Sequence, residues 1–125
     1  MATMKTSLRE ITPYPTKDGS LVHELMHPEV HGNQKLSFAR TVIAPGSATL
    51  LHMHKTSEEI YHVVQGEGMM TLGNEQFPIA AGDTVCISPQ LSHRVENTGG
   101  VPLILYCCCA PPYSHGDTEM CAERE

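Results

Sequence analysis

The sequence predicts an all-β domain, an antiparallel sandwich or barrel, and three observations carry that expectation. Turn-forming Gly, Pro, Asn and Asp residues recur at even, short intervals, from Asp18-Gly19 and Gly32-Asn33 to Ser88-Pro89 and Gly99-Gly100. Short runs of β-branched and apolar residues fill the gaps between them. No run is long and 3.6-periodic enough to specify a helix.

At 125 residues the chain has room for one hydrophobic core but not two. Residues 1–17 are expected as an N-terminal arm, 18–110 as the barrel and 111–125 as a C-terminal tail. The first predicted strand, "LVHELM" (21–26), contains a tempting motif, His23-Glu24-Leu25-Met26-His27, which has the H-E-x-x-H spacing of zinc proteases. That motif works only on a helix, where both histidines face one ion. Asp18-Gly19 turns the chain just before it, and Pro28 drives His27 out of helical dihedrals. At most about six residues are left, against roughly 12–15 for a marginal isolated helix. The segment therefore reads as a strand, with His23 and His27 as solvated or edge residues.

"KLSFARTVI" (35–43) and "ATLLHMH" (48–54) follow, joined by Pro45-Gly46. Arg40 lies in the former and is a candidate anchor for an anionic substrate, against the alternative of an exposed arginine on the barrel wall. Next come "EIYHVV" (59–64), "MMTL" (69–72), "EQFPIA" (75–80), "TVCI" (84–87), "SHRVEN" (92–97) and "LILYCCC" (103–109). Met69 and Met70 suit core or pocket wall. Cys107, Cys108 and Cys109 alternate faces on a strand and so cannot converge on one metal; small buried side chains are the expectation. Beyond Pro111-Pro112, Tyr113 and His115 belong to a tail expected to be solvated, against the alternative that they fold over a neighbour or the pocket mouth.

The net charge of −6 argues against electrostatic binding of nucleic acid or an acidic membrane. No apolar run reaches the length of a membrane span, and "MATMKTSLRE" lacks the apolar core of a secretory signal. A cytosolic protein with reduced thiols is expected.

The strongest chemistry lies in "PGSATLLHMHKTSEEIYHVVQGEG" (45–68). His52 and His54, two apart on a strand, project from one face about 6.6–6.8 Å apart, a gap that one ion bridges. If the next strand pairs with theirs, Glu58 or Glu59 returns a carboxylate to the same ion. Strand parity groups Glu59 with Tyr61 and Val63, and Glu58 with Ile60 and His62. Tyr61 is thus a candidate pocket residue beside Glu59, and His62 a surface or interface residue.

This segment resembles the first motif of the cupin superfamily, G-x5-H-x-H-x3-4-E-x6-G, with Gly46, His52, His54, Glu59 and Gly66 at their places. The spacing to Gly66 selects Glu59 over Glu58. "GDTVCISPQLSHRVEN" is similar to the second motif, with Gly82, His93 and Asn97 matching, while Ser88 replaces a proline and Gln90 a glycine. The resemblance implies a jelly-roll β-barrel, commonly a homodimer through its outer sheet. It implies one divalent ion (Mn, Fe, Co, Ni or Zn) held by His52, His54, Glu59 and His93. It also implies a small-molecule substrate rich in oxygen, carbohydrate-like or a keto acid, converted by redox-neutral isomerase, lyase or cyclase chemistry. Metal-dependent dioxygenation and non-catalytic ligand binding are the alternatives.

Overall fold

A computed structural model describes residues 4–122. Two antiparallel sheets face each other. The strands are β1 (Tyr14–Pro15), β2 (Leu21–Met26), β3 (Ser37–Ile43), β4 (His52–His54), β5 (Glu58–Gln65), β6 (Glu67–Leu72), β7 (Glu75–Ala80), β8 (Thr84–Ile87), β9 (His93–Asn97), β10 (Leu103–Ala110) and β11 (Thr118–Met120). The larger sheet runs β1-β2-β3-β10-β5-β8 and the smaller β11-β4-β9-β6-β7. This is the all-β jelly-roll barrel that the sequence predicts.

Period-two patterning builds it. Along β5, Glu59, Tyr61 and Val63 point inward while Glu58, Ile60 and His62 face out, as parity requires. β10 alternates in the same way: Leu103, Leu105, Cys107 and Cys109 are buried. Val63, Met70, Ile87, Val95, Leu103 and Leu105 form the heart of the core. Each such side chain contributes about 1.5–3 kcal/mol by leaving water.

Two backbone positions shape the loops around the site. Gly66 has φ +88°, and a Cβ there would press on the Pro102 carbonyl and Leu103. Gln90, where the motif has glycine, adopts φ +68°, and its amide donates to the His54 carbonyl at 2.7 Å. The loop before His93 thus keeps its left-handed turn without glycine.

Three sequence expectations are corrected. The 48–54 run is a strand only over 52–54, with Ala48 bridging Glu96. His27 is neither solvated nor an edge residue. It is buried, and its Nδ1 caps the short helix α1 (Pro28–His31) by accepting from the Glu29 amide. Its Nε2 donates to the Tyr113 carbonyl at 2.8 Å. Although His115 is exposed as expected, among the described residues the segment after Pro111 is docked on the barrel rather than a free tail. Its strand β11 pairs with β4, Thr118 opposite His54. Asp117 accepts from the Thr56 and Ser57 amides and the Thr56 hydroxyl, clamping the tail onto the β4–β5 turn.

Candidate metal centre

Cross-strand pairing puts His52 of β4 directly opposite His93 of β9. Their rings lie 4.2 Å apart between centroids, with His54 5.4 Å from each. Glu59 does not arrive from a strand paired with β4, as the sequence suggested. It reaches across the barrel from the facing sheet, its Oε1 3.1 Å from His54 Nε2 and 3.4 Å from His93 Nε2. Glu58 faces outward. All four side chains are buried.

The partners of each ring fix its tautomer. His52 Nδ1 donates to the Leu50 carbonyl at 2.8 Å and His93 Nδ1 to the Leu91 carbonyl at 3.0 Å, since a carbonyl only accepts. His54 Nδ1 faces the Thr118 hydroxyl at 3.1 Å, and that hydroxyl spends its own proton on the Ser114 carbonyl. Every Nδ1 therefore carries a proton and every Nε2 turns inward; His54 Nε2 meets the Glu59 carboxylate at 3.1 Å and donates to it when the ring is protonated. Donor nitrogens of the three rings lie within 4.8 Å of one another. His93 Nε2 is fully buried and makes no hydrogen bond.

Electrostatics ask for a positive charge here. Burial pushes the Glu59 carboxyl up, but His54 and His93 outweigh it and hold it well below the usual carboxylate range. Burial lowers His54, yet the adjoining Glu59 raises it on balance. His52 is pushed down by burial and by the neighbouring His93. Cys109 supports the carboxylate from behind, its thiol donating to Glu59 Oε2 at 3.1 Å.

The cluster floors a narrow cavity that opens to solvent. Tyr61 lines it and stands edge-on to His93 at 5.8 Å. Arg40 does not line it: Ala39 and Thr41 point inward on β3, so Arg40 projects from the outer face. Of the two readings of Arg40, an anchor or an arginine on the barrel wall, the structure fits the wall. Asn97, matching the second motif, is structural: its amide donates to the Ile43 and Val101 carbonyls and accepts from Gly99.

Several lining residues escaped the sequence reading. Asp18, read only as a turn residue, places Oδ2 3.5 Å from His52 Nε2. Glu24, the middle of the protease-like motif, faces the cavity through strand parity. Tyr113 packs edge-on to His54 at 5.8 Å.

The family model described as a cupin domain matches residues 39–109. The chain belongs to the cupin family. It is 51% identical over 96% of both chains to the uncharacterized protein MJ1618 of Methanocaldococcus jannaschii. It is 37% identical to the oxalate-binding protein of Thermotoga maritima over 66% of this cupin and 68% of that protein. The crystal structure of a predicted oxalate decarboxylase from Thermotoga maritima superposes with TM-score 0.76 at 31% identity, covering 86% of this chain and 99% of that one.

Proposed function

We propose that this cupin is a metal-dependent enzyme acting on a small oxygen-rich molecule, with His52, His54, His93 and Glu59 holding one divalent transition-metal ion. The observation that carries this reading is the convergence of three inward Nε2 atoms on a buried carboxylate. Such a set is electrostatically unfavourable until a cation joins it, and three imidazoles with one carboxylate suit Mn, Fe, Co, Ni or Zn. When bound, the ion supplies Lewis-acid polarisation of a substrate oxygen.

The chain's own residues do the rest. Leu50, Leu91 and Thr118 orient the rings, a role in which such partners typically tune affinity 10–100-fold. Tyr61 lines the cavity next to His93 and positions substrate there. Cys107, Leu105 and Val95 wall out water.

A binding-only role is the second reading, favoured by the name of the Thermotoga oxalate-binding relative. Recovery of an unchanged ligand after long incubation selects it over catalysis, and oxygen uptake by an iron-loaded sample would select dioxygenation. The metal reading itself is tested by elemental analysis of tag-free protein. Wild type should carry one ion per chain, and the His52→Ala/His54→Ala variant none. Near-zero metal in wild type under several loading conditions would sink it.

The proposal includes a homodimer. The outer face of the larger sheet exposes Phe38 and Ile60, with Phe38 stacked on Tyr106, and a second copy would cover it. Light scattering tests this, with Ile60→Lys expected to give monomer. Five free thiols support a cytosolic location.

A further inference from the structure

The cavity has an unusual charge character for a protein whose relatives include oxalate binders. Among the described residues, no lysine or arginine lines it, whereas Asp18, Glu24 and Glu59 all do. Lys17, beside Asp18, turns away: its ammonium donates to the His115 and Thr118 carbonyls at 2.9 and 3.1 Å. Arg40 is on the outer face.

The two acids beyond the metal cluster stand differently. Asp18 Oδ1 is held by the Thr16 and Ser20 hydroxyls and the Ser20 amide, leaving Oδ2 toward His52. Glu24 Oε2 accepts from the Tyr14 hydroxyl at 2.7 Å, while its Oε1 is buried with no hydrogen-bond partner. Tyr14, Glu24 and Tyr113 line both the cavity and an adjoining surface groove, so Glu24 stands at the passage between them. Several lining hydroxyls already donate to these acids: Tyr14 to Glu24, and Thr16 and Ser20 to Asp18. Outside the histidine cluster, the charged groups of the lining are thus all acids, with no cation among them, and a ligand meets them by donating hydrogens.

We infer that the cavity takes an uncharged polyhydroxylated ligand, a sugar or cyclic polyol, whose hydroxyls donate to Glu24 and Asp18, and that it discriminates against oxalate and sugar phosphates. The inference rests on the metal reading above. A divalent ion is already balanced by Glu59 and Asp18, so a dianion adds charge that nothing in the cavity compensates, even with Glu24 protonated. An ammonium-bearing ligand is disfavoured by the ion itself. A neutral polyol gives oxygen to the ion and protons to the acids.

Calorimetric titration of metal-loaded, tag-free protein tests this. The probes are neutral pentoses, hexoses and inositol, their phosphate monoesters, glucosamine, and oxalate, with metal content measured in every sample. At least one neutral probe should bind about tenfold or more tighter than its phosphate and than oxalate. A unit charge about 10 Å away at an effective dielectric of 20 changes affinity about tenfold or more. The Asp18→Asn/Glu24→Gln variant should therefore gain at least that factor for oxalate while losing affinity for the neutral probe. Each single variant, checked for an intact melting transition, gives the same signs should the double variant unfold. Tighter binding of oxalate, a phosphate or glucosamine to wild type overturns the inference. So does failure of every neutral probe at about 20 mM, or an unchanged oxalate affinity in the variants. Repeating the titrations on metal-free protein keeps the two readings apart: the bias against anions should grow there, whereas absence of metal in loaded samples indicts the metal reading alone.

Discussion

Replacing Thr118 with valine tests the tautomer argument with almost no change in shape. Thr118 is 4% exposed, and its hydroxyl sits between two partners, accepting from His54 Nδ1 at 3.1 Å and donating to the Ser114 carbonyl at 2.8 Å. Valine leaves the His54 N–H without an acceptor in a dry site and the carbonyl without its donor. An unsatisfied buried group costs about 1–3 kcal/mol, which for a domain of this size lowers Tm by about 3–6 °C per kcal/mol. Freed of its acceptor, His54 no longer has its Nε2 lone pair fixed toward the cluster, and metal affinity should fall about 10–100-fold. The assay is chelator competition on tag-free protein, with calorimetry of the metal-free form giving the stability cost separately. Thr118→Ser retains the hydroxyl and should recover most of the affinity. A Thr118→Val affinity within about twofold of wild type would refute the claim that this hydroxyl orients the ring.

Three further outcomes follow from the same geometry. Gln90→Gly should stabilise the fold by about 0.5–1 kcal/mol, because a side chain at φ +68° is strained in a way glycine is not; an unchanged or lower urea midpoint counts against it. Gly68→Ala should cost about 1–3 kcal/mol or more, since a Cβ there collides with the Glu96 carbonyl oxygen between paired strands, and a wild-type melting curve would show the strands yield freely. Glu24→Gln addresses pH: burial raises the Glu24 carboxyl, outweighing the Tyr14 hydrogen bond and the nearby His27 and His31. A carboxyl raised on folding adds stability below its unfolded value, about 4.3, and loses it as pH climbs through the folded value. The stability of Glu24→Gln relative to wild type should therefore rise as pH climbs above about 4.3, and a pH-independent difference in urea melts contradicts this.

Much of this molecule is written in short-range pattern. Alternation along "EEIYHVVQ" put Glu59 and Tyr61 on one inner face, and the two-residue spacing of His52 and His54 put both rings on another. Those features depend only on strand parity, which survives any tertiary arrangement. The path of Glu59 to the histidines was misjudged, because whether β5 pairs with β4 or faces it is decided by the order of distant strands. Arg40 stayed open between anchor and barrel wall for a related reason: nothing local fixes which face of β3 turns inward. Thr118 was invisible, and Tyr113 was assigned to a solvated tail rather than the pocket mouth, because β11 reaches β4 across some sixty residues of sequence, held by Asp117 on the Thr56 and Ser57 amides. Glu24 was hidden by its own motif. Once the helix was rejected, its parity with Val22 on the inner face was the remaining clue.

The central claim is that His52, His54, His93 and Glu59 hold one metal ion. A crystal of metal-loaded protein measured at the absorption edge of the bound metal addresses it most directly. The account predicts a single anomalous peak at bonding distance from the three Nε2 atoms and a Glu59 carboxylate oxygen. A stoichiometrically loaded crystal with its peak elsewhere, or with these four side chains outside bonding distance, would contradict it.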